Sequence, residues 1–212
     1  MSSPPDRRTR KRLATRQAIS DVATRLFFEY GFDRVTVDQI AESADVGRMT
    51  VFNHFPRKED MFFDREQEAR DMAFDAVSSR PRGISPVEAL GALAHRLVEQ
   101  RHPSFPLFEE TKAFVETALA SEPLKARARQ MRDDFVSALA EVLAGAAGRP
   151  HDDAEAYLAA GLITAAWSIA FTRAHDLLAQ SGDGGAAKRL FLDLIDRGVV
   201  GARAALFDTP YA

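Results

Sequence analysis

Between Gly47 and Phe55 the sequence gathers Arg48, Met49, Thr50, Asn53 and His54 within about two helical turns. An arginine can donate two hydrogen bonds to a guanine edge, an asparagine can pair with adenine, and a methionine can pack on a thymine methyl. The hydroxyls of Thr36 and Thr50, the His54 ring and the Lys58 ammonium suit phosphate oxygens. Lys58 falls in the first turn of the next helix, where a cation opposes the helix dipole. A phosphate held jointly by Lys58 and the helix amides would remove that conflict. Together these residues point to duplex DNA as the ligand.

A second set suggests a different chemistry. Phe105, Phe108, Phe114, Phe135, Tyr157, Trp167 and Phe171 could line an apolar pocket for a small effector, although aromatics equally serve ordinary cores. His95, His102 and His175 are scattered, with no second ligand at zinc-like spacing, so no metal is expected. No HExxH, P-loop, GxSxG or GxGxxG pattern is present. The reading is therefore of a protein that is not an enzyme and needs no cofactor. With no cysteine, disulfides, thiolate metal sites and cysteine catalysis are excluded.

The elements that must position these residues are helical throughout. No run of alternating β-branched residues is long enough for a strand, and the expected fold is all-α with about nine helices. Ile19, Val22, Ala23, Leu26, Phe27 and Tyr30 form one apolar stripe on a first helix that Gly31 stops. Thr36, with Gln39 three residues on, opens a short helix from Val37 to about Ala44. After Asp45-Val46-Gly47 comes another, from Arg48 to about Phe55, stopped by Pro56. Ile40, Ala41, Val46, Val51 and Phe55 can form a small core that fixes the angle between the pair, leaving Arg48, Met49, Asn53 and His54 outward. Two short helices joined by such a turn are a helix-turn-helix, here residues 36–55. Further helices are expected near 57–79, 86–101, 105–120, 122–146, 152–180 and 186–207. The stretch SSRPRGISP is a candidate domain boundary.

Charge is unevenly spread. The chain of 212 residues carries a net charge of −3, yet Arg7, Arg8, Arg10, Lys11, Arg12 and Arg16 crowd its N-terminal end. That arm could approach a polyanion, or be a solvated tail. No uncharged apolar run reaches the roughly 18 residues of a membrane span, and the basic start lacks the apolar stretch and cleavage site of a secretory signal. A cytoplasmic protein with no membrane association is expected.

The run GFDRVTVDQIAESADVGRMTVFNHFPRKEDMF resembles the DNA-binding segment of the tetracycline-repressor (TetR) family. It carries the Gly-aromatic after the first helix, Thr-x-x-x-Ile-Ala, the turn Val, the Thr-aliphatic-aromatic of the recognition helix and the terminal Phe-x-x-Lys-Glu. The likeness covers roughly residues 12–63, leaving 64–212 as a helical effector-binding and dimerisation domain. It implies that Thr36, Thr50, Phe52, His54 and Lys58 sit on the DNA backbone, while Gly47, Arg48, Met49 and Asn53 approach the bases. Phe52 stands where the family usually has Tyr, so a phenolic hydrogen bond to phosphate is missing. Met49 stands at a position often held by Gly or Pro.

For the C-terminal part the resemblance implies only an architecture. The stretch AYLAAGLITAAWSIAF is apolar nearly all round, as for a helix covered by its own core and by a partner. The last helix presents Phe191, Leu194, Ile195, Gly198, Ala202, Ala205 and Leu206 at helical spacing. The helices near 152–180 and 186–207 are expected to pair with their symmetry mates in a homodimer. The resulting expectation is a transcriptional repressor released from a palindromic operator by a small apolar effector. An effector-independent regulator or activator is the alternative.

Overall fold

The computed structural model describes residues 6–102 and 112–212, which form ten α-helices and no strand. Contacts divide the chain into two compact units. Unit 1 takes the described residues up to Asp64 together with Glu116–Arg127; unit 2 takes the rest. Instead of the single cut expected near residue 63, a short segment far along the sequence packs with the N-terminal helices.

Unit 1 begins with α1 (Arg7–Tyr30), whose start is capped by the Asp6 carboxylate accepting from the Thr9 amide at 2.7 Å. The basic run is therefore the opening of a helix and not a loose tail. Gly31 ends α1 with φ 84°, its N–H reaching the Phe27 carbonyl at 3.0 Å, a conformation that glycine adopts without Cβ strain. Of the apolar stripe Ile19, Ala23, Leu26 and Phe27 are buried, whereas Tyr30 is exposed. A 3-10 turn (Phe32–Arg34) leads to α2 (Val37–Ser43), α3 (Arg48–His54) and α4 (Lys58–Phe62). The Phe27, Phe32 and Phe62 rings meet with centroids 4.8 to 6.2 Å apart, and Ile40, Val51, Phe55 and Met61 are fully enclosed around them. Ser121 and Leu124 of the returning segment are also buried; the Ser121 hydroxyl donates to Asp33 Oδ1 at 2.7 Å and Arg127 Nε to Asp60 Oδ1 at 3.0 Å.

The single helix expected over 57–79 is broken. Residues 63–65 form a turn that closes α4 with the Phe63 amide on the Glu59 carbonyl at 3.0 Å, and α5 (Glu66–Ser78) starts afresh. The reason is tertiary: the Asp64 carboxylate accepts a short hydrogen bond from the buried Ser20 hydroxyl on α1.

In unit 2, α5 packs on α6 (Pro86–Glu99), and α9 (Ala154–Ser181) packs on both α6 and α10 (Gly184–Ala205). Between them in sequence run α7 (Lys112–Ala120) and α8 (Glu122–Ala146). The Pro- and Gly-containing break expected to separate domains is instead a turn between α5 and α6 within this unit. Ser85 and Glu88 form a reciprocal cap at the start of α6, with Pro86 in its first turn. The core is rich in small residues, including Ala140, Ala144, Ala156, Ala159, Ala160, Ala170 and Ala174, with Leu139, Leu143, Phe191 and Ile195 filling the gaps. Small residues let α9 and α10 approach closely: a Cβ placed on Gly198 would lie 2.4 Å from that of Ala166. By length and composition α9 is apolar enough to cross a membrane, which the sequence argument had excluded. Seven of its apolar residues, Ala156, Ala159, Ala160, Ile163, Ala170, Ala174 and Leu178, are buried against the rest of the chain.

Candidate nucleic-acid interface

Thr36 is the N-cap of α2. Its hydroxyl accepts from the Gln39 amide at 3.2 Å, while its own amide donates to Gln39 Oε1 at 2.8 Å, the reciprocal pair expected from the sequence. This cap fixes where α2 begins and hence how its inner face, Ile40 and Ala41, meets α3. The turn is held by the Val46 amide on the Ala41 carbonyl at 3.0 Å, and Asp45 adopts a left-handed φ of 51°. Gly47 then caps α3 with its carbonyl, which accepts from Thr50 at 2.8 Å and Val51 at 3.3 Å.

With α3 so placed, Val51 and Phe55 point into unit 1 and are fully buried. The opposite side presents Arg48, Met49 and Asn53 to solvent; Met49 is 70% exposed. Thr50, Phe52 and His54 are half-buried at the flanks.

Two side chains that the sequence reading did not assign to this face, Asp38 and Arg16, shape it. Asp38 on α2 accepts from Arg48 Nη1 with both carboxylate oxygens, at 2.8 and 3.0 Å, and the guanidinium lies 5.5 Å from the Phe52 ring centre. Arg48 is thus already extended over α3 between an anion and an aromatic ring. At the other end of α3, Arg16 donates to the His54 carbonyl at 2.7 Å and lies 4.0 Å over the Phe55 ring, tying α1 to the end of α3. Burial, then the charges of Arg12 and Arg16, hold the His54 pKa below its usual value. At neutral pH His54 therefore offers an N–H donor and no full charge. No periodic pattern links Asp38 to Arg48 or Arg16 to His54, so only the folded arrangement reveals these pairs.

Lys58 departs most from expectation. Its ammonium turns inward, donating to the Phe32 carbonyl at 2.7 Å and the Val35 carbonyl at 2.9 Å, and lies 4.1 Å from the Phe32 ring centre. Burial lowers its pKa, opposed by the charges of Asp33 and Glu59. Two of its three donors are spent on closing the turn before α2. The conflict with the helix dipole is resolved inside the protein, and the phosphate inferred for that purpose is not required.

Of the aromatic residues expected around a pocket, Phe135, Trp167 and Phe171 pack against the core of unit 2. Phe105 and Phe108 lie outside the described residues. Phe135 stacks on Phe74, Trp167 meets Phe191 edge-on and Phe171 meets His175, with centroids 6.0, 5.9 and 4.5 Å apart. Phe114 is half-buried, and Tyr157 is 40% exposed, away from the core. Most of the apolar stripe of the last helix is spent within the chain: Phe191, Ile195, Ala202 and Leu206 are core residues and Gly198 faces Ala166, whereas Leu194 is half-buried and Ala205 exposed. A different stripe is left outward.

Residues 19–64 match the family model described as bacterial regulatory proteins, tetR family. The chain is 34% identical over 86 residues to the HTH-type transcriptional regulator TcmR of Streptomyces glaucescens, covering 41% of this chain and 38% of that protein. It is 37% identical over 67 residues to the HTH-type transcriptional repressor Rv1474c of Mycobacterium tuberculosis, covering 32% and 35%. The chain thus matches little more than a third of the length of these relatives. Over nearly its whole length the fold is similar to SmeT, the repressor of a Stenotrophomonas maltophilia multidrug efflux pump, in complex with triclosan. That match has a TM-score of 0.56 at 20% identity and covers 89% of this chain and 91% of the other.

Proposed function

Because the chain belongs to the tetR family of bacterial regulatory proteins through residues 19–64, we propose that it is a DNA-binding transcriptional regulator. The proposal is of a repressor released from a palindromic operator by a small effector. The observation that carries it is the division of α3, with Val51 and Phe55 fully buried while Arg48, Met49 and Asn53 stand clear on one side. A major groove about 12 Å wide admits a helix presented in this way. Arg48 and Asn53 are assigned to base edges and Met49 to a thymine methyl, with Gly47 allowing close approach. Thr36, Thr50, Phe52 and His54 lie against the backbone, Phe52 by apolar contact alone. Lys58 is assigned chiefly to holding the turn, with one N–H left for phosphate.

A palindromic operator calls for two copies about 34 Å apart. The outward stripe suits that pairing: Leu158, Ala165 and Ile169 of α9 and Val200, Gly201 and Ala204 of α10 are exposed at helical spacing. An apolar helix face of this kind needs a cover, and a second copy of the same face supplies one. We assign the effector to unit 2; a structurally similar repressor has been solved in complex with a small molecule, triclosan. The buried Thr164 hydroxyl, without a partner among the described residues, suits a mostly apolar effector with one polar group. Such a ligand acts through its different affinity for the DNA-bound and released states.

The test is a gel shift on duplexes selected by the protein from a randomised pool. Arg48→Ala should cost about 1–3 kcal/mol and relax the preference at one base pair of each half-site. Unchanged affinity and preference would remove the assignment. Light scattering should report a dimer that Ile169→Glu converts to a monomer.

A further inference from the structure

Arg8, Arg12 and Arg16 recur every four residues, which places them on one face of α1, with about 6 Å of rise between neighbours. The last of the three is locked to the end of α3 through the His54 carbonyl and the Phe55 ring. The first two are therefore carried alongside the end of the base-facing helix. There, Arg8, Thr9 and Arg12 of α1 and Asn53 and His54 of α3 enclose an open cleft of about 460 Å³.

Every side chain around the cleft is polar, and its charge is uncompensated. From Arg7 to Arg16 the helix carries Arg7, Arg8, Arg10, Lys11, Arg12 and Arg16 and no acidic residue. Among the described residues neither Arg8 nor Arg12 is held in an ion pair. The field is felt by His54, whose proton affinity is lowered by Arg12 and Arg16 in addition to its burial. Concentrating like charge against a polar cleft opposes folding, so it calls for an anionic partner. A helix about 10–12 Å across fills a major groove of similar width. Whatever flanks its end therefore meets the wall of the groove, which is phosphate.

We propose that the cleft between the start of α1 and the end of α3 binds one backbone phosphate of the duplex read by α3, with Arg8 and Arg12 supplying the charge and Thr9, Asn53 and His54 supplying neutral donors. This inference rests on the DNA-binding reading above and extends it to a part of the chain outside residues 19–64. It also gives Asn53 a place at the groove wall as well as near the bases.

The experiment compares full-length wild type, the double variant Arg8→Ala/Arg12→Ala and its charge-keeping counterpart Arg8→Lys/Arg12→Lys. The probes are a duplex selected by the wild type from a randomised pool and an unrelated duplex of equal length. Loss of one phosphate contact in each of two protomers should flatten the log K against log salt slope by about 1.8 on both probes. The affinity lost between about 50 and about 200 mM salt then shrinks about twelve-fold. The sequence preference of the alanine variant should stay unchanged, and the lysine variant should keep most of the slope. Both arginines are exposed, and a far-ultraviolet melt checks that the variants fold. An unchanged slope in the alanine variant, with wild type binding its selected duplex, overturns the cleft alone. Failure of the wild type to select any duplex overturns both the cleft and the regulatory reading.

Discussion

Replacing Gly198 by alanine sets two effects of known sign against each other. In the middle of a helix, alanine is better than glycine by about 0.5–1 kcal/mol, because glycine loses more backbone freedom on folding. On that ground alone the variant would be the more stable. The packing says otherwise: the new methyl carbon would sit 2.4 Å from Ala166 Cβ and 3.7 Å from its Cα. The Ala166 methyl has no rotamer to adopt, so relief must come from moving α9 and α10 apart, and an overpacked core typically costs about 1–3 kcal/mol. The net expectation is a loss of about 1–2 kcal/mol, or a fall in Tm of roughly 3–6 °C for a chain of this size. Urea denaturation at fixed protein concentration, followed by circular dichroism, measures it with m unchanged. Gly145→Ala in α8 is the control, since nothing lies within 4 Å of its Cβ position and only the helical gain should appear. Ala166→Gly combined with Gly198→Ala should restore part of the loss. If Gly198→Ala is as stable as the wild type or more so, the close approach of α9 and α10 is wrong.

Removing the Lys58 ammonium should act first on stability. Lys58→Ala leaves the Phe32 and Val35 carbonyls without their donor and is expected to cost about 1–3 kcal/mol in denaturant titration; a variant of unchanged stability but weakened DNA binding would return Lys58 to the phosphate role. Tyr211 is fully buried, and its hydroxyl donates to Asp153 Oδ2 at 2.7 Å. Burial and that carboxylate push the Tyr211 pKa up to about 12. The neutral phenol is thus favoured by folding, and its contribution is complete below the unfolded pKa of about 10 and lost as pH rises toward 12. Tyr211→Phe should remove about 1–3 kcal/mol at pH 7 and flatten the alkaline fall in stability, which a denaturation series across pH 9 to about 12 would follow. Asp45 holds a positive φ of 51° in the turn between α2 and α3; Asp45→Val should destabilise by about 1–2 kcal/mol while Asp45→Gly is tolerated. Equal melting temperatures for the two would deny the left-handed turn.

The sequence by itself settled what depends on neighbours along the chain. Helical period located α1, α2, α3 and α6 to within a residue or two at most ends, and the Thr36–Gln39 pair and Gly31 marked their limits, because caps act over three or four residues. It also separated inward Val51 and Phe55 from outward Arg48, Met49 and Asn53, since a helix puts residues three and four apart on one side. Residues far apart in sequence decided the rest. Ser20 breaks the expected fourth helix at Asp64, Phe32 and Val35 turn Lys58 inward, and Ser121 and Arg127 return to Asp33 and Asp60. The sequence offered one apolar stripe on the last helix for a partner, and only its packing on Ala166 turned most of that stripe to the core and left Val200, Gly201 and Ala204 outward. Arg8 and Arg12 look like a basic tail in the sequence; the Arg16 clamp on the end of α3 sets them beside Asn53 and His54. Spacing encodes which side of a helix a residue occupies, but what that side meets is fixed by the other elements of the fold.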